Sequence, residues 1–230
     1  DLVDLVIGAD GIFSNTKSFF EKKKNEPKFK KAIAVRTILK TKSELKIDEQ
    51  RISLMMGKNC HIVIYPLNQN KELNLVCIIR DKKYDPDNIK TLVNKVVTQN
   101  SNLEKVFEGD LKSWPLYFTP KILPSTNSKV FYIGDAFNGF LPTLAQGAGQ
   151  SIESAHELFN LIKDDKAEIQ NTYFKERSRR AKIVKRRSNI NFFAFHFSSS
   201  IMQTLRNFFM KFLVKRKSFV NSYLGTVYKN

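Results

Sequence analysis

The segment from Val130 to Leu161 constrains the fold more than any other stretch of the chain. It opens with an apolar run, Val130–Ile133, that ends abruptly at Gly134-Asp135, as a buried strand ends in a turn. A loop with Pro142 follows, and Gly147-Ala148-Gly149 then leads into a helical pattern. The apolar residues that share one face of this helix are Ile152, Ala155, Phe159 and Ile162. The segment therefore predicts a strand, a turn and a helix in succession.

The turn and the helix start carry groups suited to a ligand with hydroxyl and carbonyl groups. The Asp135 carboxylate can accept a hydrogen bond from a hydroxyl. Free N–H groups and the dipole at a helix N-terminus favour an electron-rich atom. On spacing alone, an ordinary strand–loop–helix connection without a ligand is an equally open interpretation.

This segment resembles the second FAD-contacting motif of the class A flavoprotein monooxygenases, the p-hydroxybenzoate and salicylate hydroxylase family. The residues that carry the resemblance are GDAFNGFLPTLAQGAGQSIESA. The resemblance implies that Gly134 and Asp135 bind FAD, with the Asp135 carboxylate on a ribityl hydroxyl. It also implies that Pro142 lies near the isoalloxazine and that Gly147, Ala148, Gly149 and Gln150 face the pyrimidine side of the flavin. Two departures from the usual motif are Phe137-Asn138 in place of Ala-His and Ser154 in place of a frequent acid.

A second motif lies near the start of the chain. Leu5–Ile7 reads as a strand that runs into the turn Gly8–Gly11. The residues LVIGADGIFSNTK resemble the D-G signature of the same family, which implies that Asp10 and Gly11 lie against the FAD pyrophosphate. Lys17 stands where the family often has arginine, so the positive charge is kept without the bidentate fork.

The family's third signature, a Gly-x-Gly-x-x-Gly turn for the ADP diphosphate, does not occur in this sequence. The chain also opens inside a strand pattern, and a buried strand needs neighbours on both sides. We therefore expect an N-terminally truncated chain that lacks its first βαβ unit and is inactive by itself.

The region between the two motifs reads as strands. Strand patterns occur at Ala32–Leu39, Arg51–Met56, His61–Pro66 and Leu73–Arg80. The turn residues 68–71 predict a hairpin between the last two of these strands. Residues 87–99 follow a good N-terminal signal and show helical spacing. HIVIYPLNQNKELNLV resembles a segment of the salicylate-hydroxylase branch, which implies a substrate-binding sheet.

The resemblance of this region implies Arg36 and Tyr65 as substrate-contacting candidates. A third candidate is Phe140, an extra aromatic residue that would also suit a polyprenylated phenol. An arginine that points to solvent is an equally open interpretation of Arg36. The chemistry implied by the family is catalysis by positioning, so no catalytic acid or base is assigned.

The resemblance covers nearly the whole chain and implies an α/β (α+β) fold. Its parts are a FAD/NAD(P)-binding Rossmann-like domain with the first βαβ unit missing, an inserted mixed or antiparallel sheet, and C-terminal helices. We expect residues 1–21 and 115–165 to form the partial FAD-binding domain and residues 22–114 the substrate-binding sheet. Residues 166–230 form the basic, aromatic helical region.

Cysteine and histidine usage excludes some classes of protein. Cys60 and Cys77 lie in apolar runs without metal-ligand spacing, which predicts buried, reduced thiols and a cytoplasmic protein. The three histidines are scattered along the sequence, so we expect no metal site.

The C-terminal third is strongly basic. From Lys163 onward there are 16 Lys+Arg and 4 Asp+Glu, so this third carries +12 of the formal net charge of +17. Lys175, Arg179, Lys182 and Arg186 form a basic helical stripe, and a further helix carries Ile201, Leu205, Phe208 and Phe212. Three interpretations remain open: a helical cap on the flavin domain, contact of residues 166–230 with anionic membrane, and binding of nucleic acid. We disfavour nucleic acid because no recognisable binding module is present.

The resemblance implies an FAD-dependent monooxygenase that hydroxylates a small phenolic substrate with NAD(P)H and O2 through a flavin C4a-hydroperoxide. An alternative is a polyprenylphenol hydroxylase of the ubiquinone-biosynthesis type at the membrane surface. Epoxidases and halogenases of the same superfamily also remain open. A different class is a non-catalytic basic protein that binds membrane or nucleic acid on a decayed flavin fold.

Overall fold

The computed structural model describes residues 3–21, 26–40, 50–69, 71–97, 107, 109–164 and 168–228. The chain divides into two compact units. Unit 1 contains the described residues within 1–29, 117–192 and 221–230, and unit 2 those within 30–116 and 193–220. The expected helical region 166–230 is thus divided between the two units rather than forming one of its own.

Unit 1 is built on two short parallel strands that come from the two sequence motifs. Strand β1 (Val6–Gly8) pairs in parallel with β7 (Val130–Tyr132), with Gly8 opposite Tyr132. The Ile133 N–H donates to the Gly8 carbonyl (3.0 Å) and extends the pairing by one residue. The two motifs, which are far apart in sequence, therefore end side by side.

Short helices follow both strands of unit 1. Helix α1 (Asn15–Phe20) begins at Ser14, whose side chain accepts from the Lys17 N–H as an N-cap. After β7 come α3 (Gly134–Asn138), a 3₁₀ turn (Pro142–Leu144) and α4 (Gly147–Lys163), so the predicted strand, turn and helix are confirmed. Helix α5 (Ile169–Phe195) belongs to unit 1 up to residue 192.

The α4 face that carries Ile152 and Phe159 does not pack into the core. These two side chains are 71% and 60% exposed, whereas Gln150, Ser154, Leu158 and Leu161 form the buried face. The small serines on this face allow α4 to approach α3 closely, because a Cβ at Gly134 would lie 2.6 Å from the Ser151 Oγ. The core of unit 1 consists of Val130, Phe131, Tyr132, Ala136, Phe137, Leu158, Leu161, Tyr173 and Ala181.

Unit 2 contains a sheet in the order β3-β4-β5-β2-β6. The strands are β2 (Lys28–Leu39), β3 (Ser53–Met56), β4 (Cys60–Leu67), β5 (Glu72–Arg80) and β6 (Lys112–Phe118). The pairings β3–β4, β4–β5 and β5–β2 are antiparallel, which confirms the predicted hairpin between β4 and β5. The ends of β2 and β6 extend into unit 1.

One face of this sheet packs on helix α2 (Ile89–Val97), which follows a 3₁₀ turn at Pro86–Asn88. Alternate residues of the strands supply the core, as the period of two predicts, and α2 adds Ile89, Val93 and Val97. The predicted helix over 87–99 is thus found as far as Val97, and its last two residues lie outside the described part of the chain. Cys60 and Cys77 are buried in this core and are not joined in a disulfide.

The remaining helices are α6 (Ser200–Leu213) and α7 (Lys217–Tyr228). Helix α6 belongs to unit 2, together with the last turn of α5. Over the described ranges, no helix is long and apolar enough to cross a membrane.

Two of the three histidines that are scattered in sequence come together in unit 2. His61 Nδ1 lies 3.1 Å from His196 Nε2, and both side chains are fully buried. His196 Nε2 also lies 3.3 Å from the Ile78 carbonyl, which can only accept, so the geometry assigns the hydrogen to His196 Nε2. Burial, and then the neighbouring His196, lower the pKa of His61 to about 3. This contact joins residues 135 positions apart, so it leaves no local sequence pattern.

Candidate functional site

The two sequence motifs of unit 1 meet at the carboxyl ends of β1 and β7, where open α/β sheets bind their ligands. Lys17 joins them directly. Its Nζ donates to the carbonyls of Ala136 (2.9 Å) and Phe137 (3.3 Å) in the second motif. Burial lowers the pKa of Lys17, and Glu21 opposes this shift. In this arrangement, Lys17 serves to connect α1 to α3.

Asp10 of the first motif is occupied by hydrogen bonds at the start of α1. Its carboxylate accepts from the Ser14 hydroxyl, the Thr16 N–H (2.9 Å) and the Thr16 hydroxyl (3.0 Å). Burial opposes ionisation, but these hydrogen bonds outweigh it and lower the pKa of Asp10 to about 2. Gly11 follows with a φ of +81°, a conformation that favours glycine, and a Cβ there would meet no described atom within 4 Å.

Hydrogen bonds of a serine hydroxyl on α4 fix the turn between β7 and α4. Gly134 has a φ of +58°, and its N–H donates to the Ser154 Oγ (3.0 Å). The Ser154 hydroxyl in turn donates to the Ser151 carbonyl (2.8 Å). Ser154, which departs from the usual acid, thus fixes the position of the Gly134-Asp135 turn against α4.

Asp135 presents an available carboxylate at this turn. It accepts no hydrogen bond and forms no ion pair with any of the residues that the structure describes. The side chain is reached by solvent, yet enough protein atoms surround it to raise the pKa of the carboxyl above its ordinary value. An unpaired carboxylate in this position is suited to accept a hydrogen bond from a ligand hydroxyl.

The N-terminus of α4 is open next to this carboxylate. Helix α4 has no side-chain cap, and its first described backbone bond runs from the Gln150 N–H to the Gln146 carbonyl (2.8 Å). The N–H groups of Gly147, Ala148 and Gly149 therefore have no partner among the described residues. A Cβ at Gly147 would meet nothing within 4 Å. The helix start is thus both accessible and rich in donors.

Gln150 supports the helix start rather than presenting a free amide. Its side chain is buried, donates to the Glu153 carboxylate (2.9 Å) and accepts from the Arg177 guanidinium (2.9 Å). Arg177 is itself buried and also pairs with Glu153 (3.5 Å) and Glu157 (3.2 Å). Arg177 on α5 therefore fixes the first three turns of α4.

Asn138 is a buried polar group without a partner. Its side chain is fully buried, and neither Oδ1 nor Nδ2 forms a hydrogen bond within the described structure. Such groups are rare in folded proteins and call for a ligand or an ordered water. Phe140 and Pro142 lie in the same connection: Phe140 packs on the core of unit 1, and Pro142 is exposed at the start of the 3₁₀ turn.

These features fit one half of an FAD molecule. The unpaired Asp135 carboxylate suits a ribityl hydroxyl, and the open N–H groups of α4 suit the carbonyl oxygens of the flavin pyrimidine. The donors and the acceptor are complementary to these flavin groups. The Gly-x-Gly-x-x-Gly turn that would suit the diphosphate is absent from the sequence.

In unit 2, the substrate-contacting candidates Arg36 and Tyr65 are both neighbours of a third polar residue, Asn74. Tyr65 on β4 is directly opposite Asn74 on β5, and the Arg36 Nε donates to the Asn74 Oδ1. Asn74 is fully buried, and its Nδ2 has no hydrogen-bond partner in the described chain. These three side chains occupy the sheet face opposite to α2, because the alternate strand residues fill the core. Arg36 is therefore paired rather than pointing freely into solvent.

The sequence alone did not indicate Asn74, Asn138 or Arg177 as site candidates. Asn74 was detectable as a polar residue in an apolar strand, but only the register assigns it to the face of Arg36 and Tyr65. The burial of Asn138 and the network of Arg177 depend on packing across the sequence, so no local pattern indicated them.

Comparison with protein families gives one match over almost the whole chain. The model of the squalene epoxidase family matches residues 2–227. A salicylate hydroxylase from Pseudomonas putida is 27% identical over 195 residues, which cover 73% of this chain and 45% of that protein. The 3-amino-4-hydroxybenzoate 2-monooxygenase PtmB3 from Streptomyces platensis is 24% identical over 220 residues, with coverage of 88% and 54%. The chain thus spans about half the length of the curated relatives it matches.

Two solved structures of similar fold superimpose over nearly the whole chain. HpxO from Klebsiella pneumoniae, complexed with FAD and uric acid, superimposes with a TM-score of 0.82 at 13% identity. The match covers 97% of this chain and 59% of HpxO. A salicylate hydroxylase substrate complex gives a TM-score of 0.72 at 17% identity, with coverage of 98% and 64%. At these identities the likeness concerns the fold, which is the mixed α/β fold that the sequence predicts.

Proposed function

The chain belongs to the squalene epoxidase family of FAD-dependent monooxygenases, and on this basis we propose that its gene product hydroxylates an aromatic, phenolic substrate with NAD(P)H and O2. The observation that supports this proposal best is the end of the parallel strand pair in unit 1. There the Asp135 carboxylate and three N–H groups at the start of α4 have no partner among the described residues.

The residues of unit 1 have distinct roles in this proposal. When bound, FAD supplies the redox chemistry, because it accepts a hydride from NAD(P)H and activates O2 for transfer of one oxygen atom to the ring. The Asp135 carboxylate accepts from a ribityl hydroxyl and fixes the flavin in place. The N–H groups of Gly147–Gly149 stabilise negative charge on the pyrimidine side. Ser154 and Arg177 act indirectly, since they hold the turn and the helix that carry these groups.

We assign substrate contact to Arg36, Tyr65 and Asn74 of unit 2. A guanidinium, a phenol and a buried amide donor suit an aromatic ring that bears a carboxylate or a phenolate oxygen. Relatives named for salicylate and for 3-amino-4-hydroxybenzoate are consistent with this chemical class. The buried, unbridged Cys60 and Cys77 support a cytoplasmic location.

A polyprenylated phenol is the second candidate substrate. The observation that favours it is the apolar outer face of α6, which exposes Phe208, Phe209 and Phe212. A substrate dissolved in a membrane would be reached most readily by an enzyme that contacts the membrane through residues 166–230.

A substitution at Gly147 tests the flavin site without disturbing the fold. Gly147→Val adds carbon atoms where a Cβ meets nothing, so the helix should form as before, and only a ligand at the helix start should be obstructed. Gly225→Val is the matched control, because a Cβ there also meets nothing within 4 Å.

We expect Gly147→Val to raise the Kd of the purified gene product for FAD at least about tenfold, which corresponds to about 1.4 kcal/mol, and so to lower its FAD content. Gly225→Val should bind FAD as the unchanged protein does. Equal FAD content in both variants would contradict the proposed site. NADH or NADPH oxidation that rises on addition of salicylate, but not of a polyprenylphenol, would favour the first substrate class.

A further inference from the structure

Helix α5 holds the connection between α3 and α4 at several points along its length. The Lys185 ammonium donates to the Thr119 carbonyl (2.7 Å), and Thr119 forms two hydrogen bonds with Gly139, which directly follows α3. Farther along α5, the Ser188 carbonyl accepts from the Thr143 hydroxyl (2.7 Å). All of these residues belong to unit 1. The segment that carries the proposed flavin contacts is therefore fixed to α5.

The 3₁₀ turn Pro142–Leu144 leads into α4 through a residue in a rare backbone conformation. Ala145 has a φ of +52°, in the left-handed region that residues with a side chain seldom adopt. Its N–H donates to the Pro142 carbonyl (3.0 Å) and closes the turn. Such a conformation persists only where the surrounding structure fixes it. Since Gln146 alone separates Ala145 from the first residue of α4, the position of this turn decides where the open start of α4 lies.

A second hydrogen bond attaches the turn to α5. The Asn191 Nδ2 donates to the Thr143 carbonyl (3.2 Å), and the Tyr223 hydroxyl on α7 lies 2.6 Å from the Asn191 Oδ1. A carbonyl can only accept, so the amide turns its Nδ2 to Thr143 and its Oδ1 to Tyr223. The Tyr223 hydroxyl is therefore the donor, and it fixes the amide in the orientation that Thr143 requires.

Tyr223 is itself held by Arg187 on α5, and both residues belong to unit 1. The guanidinium lies over the phenol ring, 4.5 Å from its centroid, and Nη1 donates to the Tyr223 carbonyl (2.5 Å). Burial raises the pKa of Tyr223, and Arg187 opposes this shift. The phenol therefore keeps its proton at neutral pH and remains a donor.

We propose that Asn191 and Tyr223 are positioning residues for the flavin, because they keep the turn Pro142–Leu144 and the start of α4 in the arrangement that binds FAD. Both side chains act through Thr143, and neither contacts the flavin. This proposal rests on the flavin site proposed above and extends it to two residues outside both sequence motifs. Loss of either side chain should lower the fraction of the apoprotein in which the turn is arranged for binding. The Kd for FAD should then rise in proportion.

Two substitutions test the proposal at different strengths. Tyr223→Phe removes only the hydroxyl, and Asn191→Leu removes both bonds of the amide while it keeps a similar size and a good helix propensity. We expect Tyr223→Phe to raise the Kd for FAD about threefold and Asn191→Leu about tenfold. The Kd is measured well below the thermal midpoint of each variant, where a loss of stability alone leaves it unchanged.

Each variant has a control that makes the same chemical change elsewhere. Tyr84→Phe removes a phenol hydroxyl that donates to the Ser113 carbonyl (3.1 Å) in unit 2. Asn189→Leu removes an amide that donates to the Lys185 carbonyl (2.8 Å) within α5 itself. Neither control should change the Kd for FAD.

Amide hydrogen exchange of the apoprotein observes the turn without any flavin. The bonded N–H of Ala145 should exchange at least about threefold faster in Tyr223→Phe and Asn191→Leu than in their controls, because the turn opens more often. The double variant tests the order of the contacts. Because Tyr223 acts through Asn191, adding Tyr223→Phe to Asn191→Leu should raise the Kd no further.

The proposal is overturned if both variants bind FAD as tightly as their controls and only their thermal midpoints fall. Effects on the Kd that add in the double variant would also overturn it, since the two residues would then act separately. An unchanged protein that binds no FAD would refute the proposed flavin site itself, and this proposal with it. Should Asn191→Leu fail to fold by circular dichroism, Tyr223→Phe decides.

Discussion

Replacing Asp135 with alanine should weaken FAD binding without destabilising the apoprotein. The carboxylate accepts no hydrogen bond from the described residues, so its removal breaks no bond inside the protein. Burial raises the pKa of Asp135. A raised carboxyl pKa in the folded state means that the ionised form costs stability above that pKa, and this cost disappears when the group is protonated at lower pH. At neutral pH the alanine variant should therefore be at least as stable as the unchanged protein.

The loss in affinity follows from the hydrogen bond that Asp135 would make. A hydrogen bond between a ribityl hydroxyl and a carboxylate contributes about 1.5–3 kcal/mol. Its removal should raise the Kd for FAD by about 13- to 160-fold. Asp135→Asn keeps an acceptor oxygen but loses the charge, so its effect should be smaller than that of alanine.

Titration of the apoprotein with FAD, followed by quenching of flavin fluorescence, measures these Kd values. Asp110→Ala is the control, because it removes an exposed carboxylate from unit 2. A Kd for Asp135→Ala equal to that of Asp110→Ala would refute the role of Asp135. A lower thermal midpoint of the apoprotein variant would refute the claim that its carboxylate is unpaired.

Two further predictions concern stability. Arg177→Met should lower the free energy of unfolding in urea by about 1–3 kcal/mol, because its buried bonds to Gln150, Glu153 and Glu157 are lost. The control is Arg179→Met, at an exposed position, which should change this free energy by less than about 0.5 kcal/mol. In the folded protein the pKa of His61 is about 3, below its value in the unfolded chain. Below about pH 6.5 the unfolded chain therefore binds a proton that the folded chain does not. The free energy of unfolding should then fall by up to about 1.4 kcal/mol for each pH unit. His61→Asn should reduce this slope, and equal slopes would contradict the assignment.

Local patterns predicted the elements of this fold well. The β4–β5 hairpin follows from alternating strands around Asn68-Gln69, and both of these residues adopt the positive φ that such a turn requires. The start of α4 follows from the glycines before a helical repeat. In both cases the signal lies within a few consecutive residues, so no knowledge of tertiary packing was needed.

The direction in which helices face was not predictable in the same way. Hydrophobicity favours burial of Ile152 and Phe159 on α4, yet the close approach to Gly134 requires the serine face instead. On α6, Arg206 rather than an apolar residue is buried, and its guanidinium donates to the carbonyl of Met56, 150 residues away in sequence. Such distant partners leave no trace in the local sequence pattern.

The family motifs predicted where the candidate site lies but not how each residue is used. Three of the motif residues form hydrogen bonds within unit 1: Asp10, Lys17 and Gln150. Their polar side chains therefore stabilise the elements that carry the site and do not face the ligand. Asp135 and the N–H groups of Gly147–Gly149 remain available. The difference depends on which donors and acceptors are satisfied, and only the three-dimensional structure provides that information.

A visible absorption spectrum of the purified gene product tests the central claim most directly. We expect the bands of an oxidised flavin, which bleach on addition of NAD(P)H and return in air, because a reduced flavin monooxygenase is reoxidised by O2. A colourless protein that also takes up no added FAD would contradict it. The two motifs would then serve only as a scaffold.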